Sequence, residues 1–201
     1  MNRLISGIAA ALLLTAPAIA ADPEPRHGLS VFGDLKYAAG FMHFDYVNPD
    51  APKGGAIKIP GLDTFETLHP FILKGRKELL AEPLLFDTLM ARSTDEPDSY
   101  YGLVAKTVEV PDDKSWVAFN INSQAKFHDG MRITAADVVF TFNKLKKDGH
   151  PRYRVNFRDV DRAEATSPSR VKFYFKPGTH RDLPTRLAAL PVLSKTYYDK
   201  V

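Results

Sequence analysis

WVAFNINSQAKFHDGMRITAADVVFTFNKL, residues 116–145, is the stretch whose reading decides the fold. It opens by alternating: Val117, Phe119 and Ile121 share one face while Trp116, Ala118 and Asn120 share the other, the period-two pattern of a half-buried strand. Asp129-Gly130 follows, a pair that supplies the positive φ of a tight turn at little steric cost. Thr134 then stands as a helix N-cap. Three residues on, Asp137 completes a Ser/Thr-x-x-Asp/Glu capping box and sets a negative charge at the positive end of the helix dipole. Val138, Val139, Phe142 and Leu145 make the apolar face of that helix, Lys144, Lys146 and Lys147 suit its C-terminal end, and Gly149 predicts its stop.

Working outward, Pro111-Asp112-Asp113-Lys114 predicts a turn that joins the Trp116 strand to another within 103–110 as a hairpin. Upstream, Leu79, Leu80, Leu84, Leu85 and Leu89 predict a helix over 77–90, broken or kinked at Pro83. Residues 63–76 and 95–99 read as loops, and Ala56-Ile57-Lys58-Ile59 as a short strand behind the turn-rich 48–55. Downstream, His150-Pro151-Arg152-Tyr153 opens a loop. Strands are expected over 160–165 and 171–175, and a short helix beginning near Arg181 or Asp182 carries Leu183, Leu187 and Leu190 up to Pro191. The mixture predicts an α/β or mixed α+β fold with a mixed sheet and flanking helices. Trp116, opening a strand, is expected in the core.

The N-terminus has the layout of an export signal: Arg3, an apolar run over 5–16, then the small-x-small site Ala18-Ile19-Ala20. A cleaved signal peptide over 1–21 is the expectation, because a membrane-spanning helix needs about 20 apolar residues. Absence of cysteine excludes disulfides, thiolate zinc sites and a cysteine nucleophile. The net charge of +3 is spread among both signs without a basic stripe, which argues against nucleic acid as a partner.

Chemistry-bearing patterns are few. His128-Asp129 pairs an imidazole with a carboxylate, but adjacent residues rarely fold back on each other and Asp129-Gly130 is already a turn signal. The six histidines contain no i,i+4 pair and no H-E-x-x-H; a G-x-S-x-G elbow is missing, and the glycines lack phosphate-loop spacing. No catalytic residue, metal ligand or cofactor is therefore assigned. By composition alone, the loop Leu68-His69-Pro70-Phe71-Ile72-Leu73-Lys74-Gly75-Arg76 reads as a solvated basic loop.

The order W-x-x-F at Trp116–Phe119, F-H-D-G at Phe127–Gly130 and T-A-x-D-V-x-F-T-F at Thr134–Phe142 resembles the signature of the family 5 extracellular solute-binding proteins of ABC importers. HGLSVFG at 27–33, FDYVNPDAPKGG at 44–55 and LPVL at 190–193 resemble its Yej-like, oligopeptide-binding branch. The resemblance implies a type II periplasmic binding protein fold, of which this chain supplies the first lobe only, as a truncated product or fragment. It implies a main subdomain from 22–65 and 158–201, a smaller inserted subdomain over 66–157, and no second lobe. It also implies a non-enzymatic periplasmic receptor, with a peptide or peptide-like ligand and an ABC permease in the inner membrane as partners. In such receptors the loop after L-x-P and the L-[FY]-[DE]-x-L segment, here Leu85-Phe86-Asp87-Thr88-Leu89, border the cleft. On that basis Phe71, Lys74, Gly75 and Arg76 are candidate ligand-binding residues, with Tyr153 at the cleft edge. Backbone of the loop would pair with an extended peptide, and Lys74 or Arg76 would meet a carboxylate. A small secreted hydrolase or metal-dependent enzyme, and a periplasmic interaction module that does not transport, stay open as alternatives.

Overall fold

A computed structural model describes residues 23–60, 64–178 and 181–200. The expected signal peptide lies outside the described residues. In chain order the elements are β1 (Gly28–Ser30), α1 (Ala81–Leu85), β2 (Met90–Arg92), β3 (Ser99–Gly102), β4 (Ala105–Glu109), β5 (Trp116–Ile121), α2 (Ala135–Asp148), α3 (Pro151–Asn156), β6 (Val160–Ser167), β7 (Arg170–Phe175), α4 (Leu183–Ala188) and α5 (Lys195–Tyr198). The fold is mixed α/β, and its centre is a four-stranded sheet in the order β4-β5-β7-β6. A smaller sheet runs β1-β3-β2.

Period two meets period 3.6 in the core. Val117 and Phe119 of β5 pair with Phe173 and Val171 of β7, and all four are buried. Val138, Phe142 and Leu145 of α2 join the same core, with Phe142 5.4 Å from Phe173 and Phe119 6.0 Å from Phe173, ring centre to ring centre. Edge-to-face geometry at these distances places ring hydrogens on neighbouring π-faces.

The opposite face of the sheet is held by its own side chains. Lys172 Nζ sits 3.5 Å from the Trp116 ring centre, and the Arg162 guanidinium 3.9 Å from that of Tyr174. Trp116 is thus only partly buried, on the outer face rather than in the core, because the register that buries Val117 turns its neighbour outward. Glu109 is 5% exposed and accepts from Arg170 Nη2 at 2.6 Å and Asn120 Nδ2 at 2.7 Å. Burial alone would push its carboxyl up, but these charge-assisted bonds outweigh burial and leave it below the ordinary value.

The capping box forms as read. Asp137 Oδ2 accepts from Thr134 N at 2.9 Å and Thr134 Oγ1 at 2.7 Å. Its other oxygen, Oδ1, accepts from Lys195 N at 2.9 Å. One turn on, Thr141 Oγ1 donates to Asp137 O and accepts from Leu193 N at 2.9 Å. One face of α2 therefore grips the backbone leading into α5.

Several expectations are corrected. The named strands pair antiparallel throughout, not in a mixed sheet. The β5-α2-β6 crossover does bring β6 back parallel to β5, but β7 is inserted between them by the β6-β7 hairpin. Residues 56–59 form no paired strand among the described residues. The 77–90 helix shrinks to Ala81–Leu85, with Pro83 in the first turn, where a missing N–H costs little. Beyond it, long-range pairing overrides helical periodicity: Leu89 N donates to Leu190 O at 2.9 Å and Val192 N to Asp87 O at 3.0 Å. Residues 151–156 are helical rather than loop, since Pro151 sits at N1 and His150 Nδ1 caps Arg152 N at 3.1 Å.

Replacing Asp137 by alanine removes the N-terminal cap of α2 and the bond to Lys195 together. The expected loss is about 2 kcal/mol of unfolding free energy, read from the urea midpoint; an unchanged midpoint would contradict the double role of this carboxylate.

Candidate functional site

Four segments enclose a cleft of about 610 Å³, a size that suits a small ligand. They are Leu68-His69, Leu84 to Asp87 at the end of α1, the turn Lys126 to Asp129 with Ile133, and Val192 to Tyr198. Ile133, Val192 and Leu193 are buried at its floor, whereas Leu68, Leu84 and Tyr197 are more than half exposed at its rim. The cleft is mainly apolar, with His69, Asp87, Lys126, His128, Asp129 and the tyrosines supplying polar groups.

Each wall has a local cause. In the turn, Gly130 takes φ +83°, its N–H donates to Phe127 O at 3.0 Å, and Asp129 Oδ1 accepts from Met131 N at 2.9 Å. The Asp129 carboxylate is thereby spent on holding the turn instead of orienting His128. The 192–198 wall is the segment gripped by Asp137 and Thr141, and Ser194 Oγ caps α5 by accepting from Tyr197 N at 3.2 Å.

His69 ties the loop wall to α5. Its Nδ1 accepts from Phe71 N at 3.4 Å, which leaves Nε2–H to donate to Tyr198 Oη at 2.6 Å; this tautomer is inferred from the network. Burial pushes the imidazole below its ordinary value, and Lys144 pushes the same way. The Tyr198 hydroxyl is raised, chiefly by burial and further by Tyr197.

None of the five residues anticipated for ligand binding lines this cleft. Phe71 is fully buried, 4.8 Å from the Phe86 ring, with its carbonyl accepting from His150 N at 2.7 Å. Tyr153 is also buried, its hydroxyl accepting from Arg152 Nη2 at 2.9 Å. The two meet in the core, ring centres 6.3 Å apart. Lys74, Gly75 and Arg76 lie at an exposed loop tip, with Gly75 at φ +79°. Arg76 O accepts from Glu66 N at 2.7 Å and Arg76 Nη2 donates to Thr64 Oγ1 at 3.0 Å, so the loop closes on itself. Leu85, Phe86 and Asp87 do line the cleft. His69, Tyr197 and Tyr198 were missed; the one signal available was the adjacent tyrosine pair, which periodicity does not connect to a histidine 129 positions away.

The sequence pattern of the bacterial extracellular solute-binding proteins, family 5, middle region, matches residues 99–200. The chain belongs to this family. It is 40% identical over 210 residues to the peptidoglycan-binding protein YepA of Agrobacterium fabrum, covering 99% of this chain and 34% of that protein. It is 42% identical over 176 residues to the uncharacterized protein YejA of Escherichia coli, covering 87% of this chain and 28% of the relative. A third relative, "Probable peptide-binding protein YejA" of Agrobacterium fabrum, is 38% identical over 98% of this chain and 32% of its own length. The chain thus spans about a third of the curated relatives it matches. In fold it is similar to the oligopeptide-binding protein AppA of Bacillus subtilis solved with a nonapeptide, at TM-score 0.56 and 22% identity over 69% of this chain and 27% of that one. NikZ of Campylobacter jejuni, solved with Ni(L-His), gives TM-score 0.55 at 19% identity over 68% of this chain and 27% of that one. No helix among the described residues is long and apolar enough to cross a membrane.

Because His69 is held neutral, protonation costs folded stability. The unfolded imidazole takes up its proton near pH 6.5 and the folded one only at lower pH, so stability falls as pH drops through that window. The urea midpoint should therefore fall more between pH 7.5 and 5 in the native sequence than in His69→Gln; equal falls would remove His69 from this role.

Proposed function

We propose that this chain provides one wall of the ligand site of an ABC-importer receptor that takes peptides or peptide-like ligands in the periplasm. The observation that carries the reading is the one-sided apolar cleft, with a buried floor and an exposed rim at Leu68, Leu84 and Tyr197. A binding wall of this kind accepts apolar side chains without demanding a sequence, while the polar groups at its edge orient the ligand. The names of two relatives, one for peptide binding and one for peptidoglycan binding, support a ligand containing peptide bonds. Closure of a second wall by hinge motion would complete the site and present it to an inner-membrane permease. Within this reading, the exposed Lys74-Gly75-Arg76 tip, which does not line the cleft, is the candidate to meet a ligand carboxylate, and Phe71 and Tyr153 support that loop from the core.

The test is a chimera in which this chain replaces the matching third of the Agrobacterium YejA relative. Titration calorimetry with mixed tripeptides to pentapeptides and with a peptidoglycan digest should show binding to the chimera. The isolated chain should bind about 100-fold more weakly, since losing one wall forgoes roughly 3 kcal/mol of contact. A folded chimera that binds neither class would overturn the ligand reading; micromolar binding to the isolated chain would overturn the one-wall reading.

A further inference from the structure

Two polar groups lining the cleft keep hydrogen-bonding capacity that the chain itself does not use. The first is the Tyr198 hydroxyl. Because Phe71 N–H donates to His69 Nδ1, the imidazole proton sits on Nε2 and is given to Tyr198 Oη; the hydroxyl accepts this bond and keeps its own proton to donate. Among the described residues His69 is its one hydrogen-bond partner. Burial, with Tyr197 adding to it, raises the hydroxyl above its ordinary value and so keeps it a donor. The rings of Phe140 and Tyr197 pack around it, 5.6 and 5.7 Å away centre to centre, and hold it in place.

The second is the Asp87 carboxylate. Its main chain is pinned, since Asp87 O accepts from Val192 N at 3.0 Å and the neighbouring Phe86 ring packs against Phe71. The side chain lines the cleft with no hydrogen bond and no ion pair among the described residues. The opposite charge stands on another wall, at Lys126 in the turn, where Asp129 already spends Oδ1 on Met131 N. A ligand cation is therefore drawn to the Asp87 wall and repelled from Lys126. The floor of Ile133, Val192 and Leu193 is apolar. An unpaired acceptor for a cation, an unused donor for a carbonyl and an apolar floor complement one chemical unit. It is the amino-terminal residue of a peptide, whose ammonium, carbonyl and side chain all branch from a single Cα. An internal residue lacks the ammonium, and a carboxylate end would meet Asp87 with like charge.

We infer that the cleft captures the free amino terminus of its ligand: Asp87 accepts from the ammonium, Tyr198 donates to the first carbonyl, and the floor takes the first side chain. The inference rests on the reading of the cleft as a peptide wall and adds to it which end of the peptide is held. His69 is a positioning residue here, since it acts through Tyr198 by setting which way the hydroxyl proton points.

The experiment is a chemical-shift titration of the isolated chain with leucyl-glycyl-glycine and with its N-acetyl form, which differ in the charge at the amino terminus. The free peptide should bind about fivefold more tightly. Asp87→Asn should erase that preference and leave the urea midpoint where it was, because the carboxylate bonds to nothing among the described residues. Tyr198→Phe should weaken both peptides by about fivefold and keep the preference. Equal affinities in the native chain, a preference that survives Asp87→Asn, a lowered midpoint in that variant, or affinities untouched by Tyr198→Phe would overturn the inference while leaving the peptide wall standing. Failure of both peptides to bind the native chain would remove the wall itself, and the inference with it.

Discussion

The Asp137 carboxylate holds two distant pieces of chain with its two oxygens. One oxygen closes the N-terminus of α2 onto Thr134, and the other accepts from Lys195 N, 58 residues further on. Thr141, on the same helix face, fixes Leu193 in the same way. Both side chains are buried, where an unmet hydrogen-bonding group would be costly, so helix and returning segment are obliged to stay in register. That register sets the floor of the cleft and brings Tyr198 within reach of His69. The family's most recognisable stretch therefore holds one wall of the cleft through Asp137 and Thr141, and lines another directly with its turn at Lys126 to Asp129 and with Ile133.

The central sheet divides its labour by face. One face packs phenylalanines and valines beneath α2. The other is closed by cation–π stacks and by the Glu109–Arg170 pair, with little apolar surface left to cover. A sheet face that satisfies itself has small reason to recruit a partner. Many of the exposed large apolar groups lie instead between 57 and 85, with others at Phe32, Met42 and Val155, and the proposed ligand wall draws on the 57–85 part of the sequence.

Legibility followed the range of the forces involved. The β4-β5 hairpin, α2 with its cap, the β6-β7 hairpin and α4 were all visible, because each is set by turn chemistry and periodicity within a few residues. Residues 86–90 were misread as helix because their leucines keep helical spacing, yet the backbone pairs with 190–192, a contact that no local pattern encodes. The candidate site fared worse. Phe71 is a sequence candidate as part of the binding loop, and Tyr153 as a cleft-edge residue beside its reading as a partly buried core tyrosine; the structure buries both. His69 sits within the loop singled out for binding, but its role depends on a tyrosine from the far end of the chain.

By itself, the sequence determined the family, the absence of thiol chemistry, the strand-turn-helix at 116–145 and the capping carboxylate, since these rest on residue identity and short spacing. Tertiary structure alone decided that β7 would separate β5 from β6, that Asp137 would reach Lys195, and that four separated segments would enclose one cleft. The physical reason is common to all three. Each depends on which buried groups find partners once the chain has closed on itself, and such pairings are settled by packing over long loops rather than by the propensities of neighbouring residues.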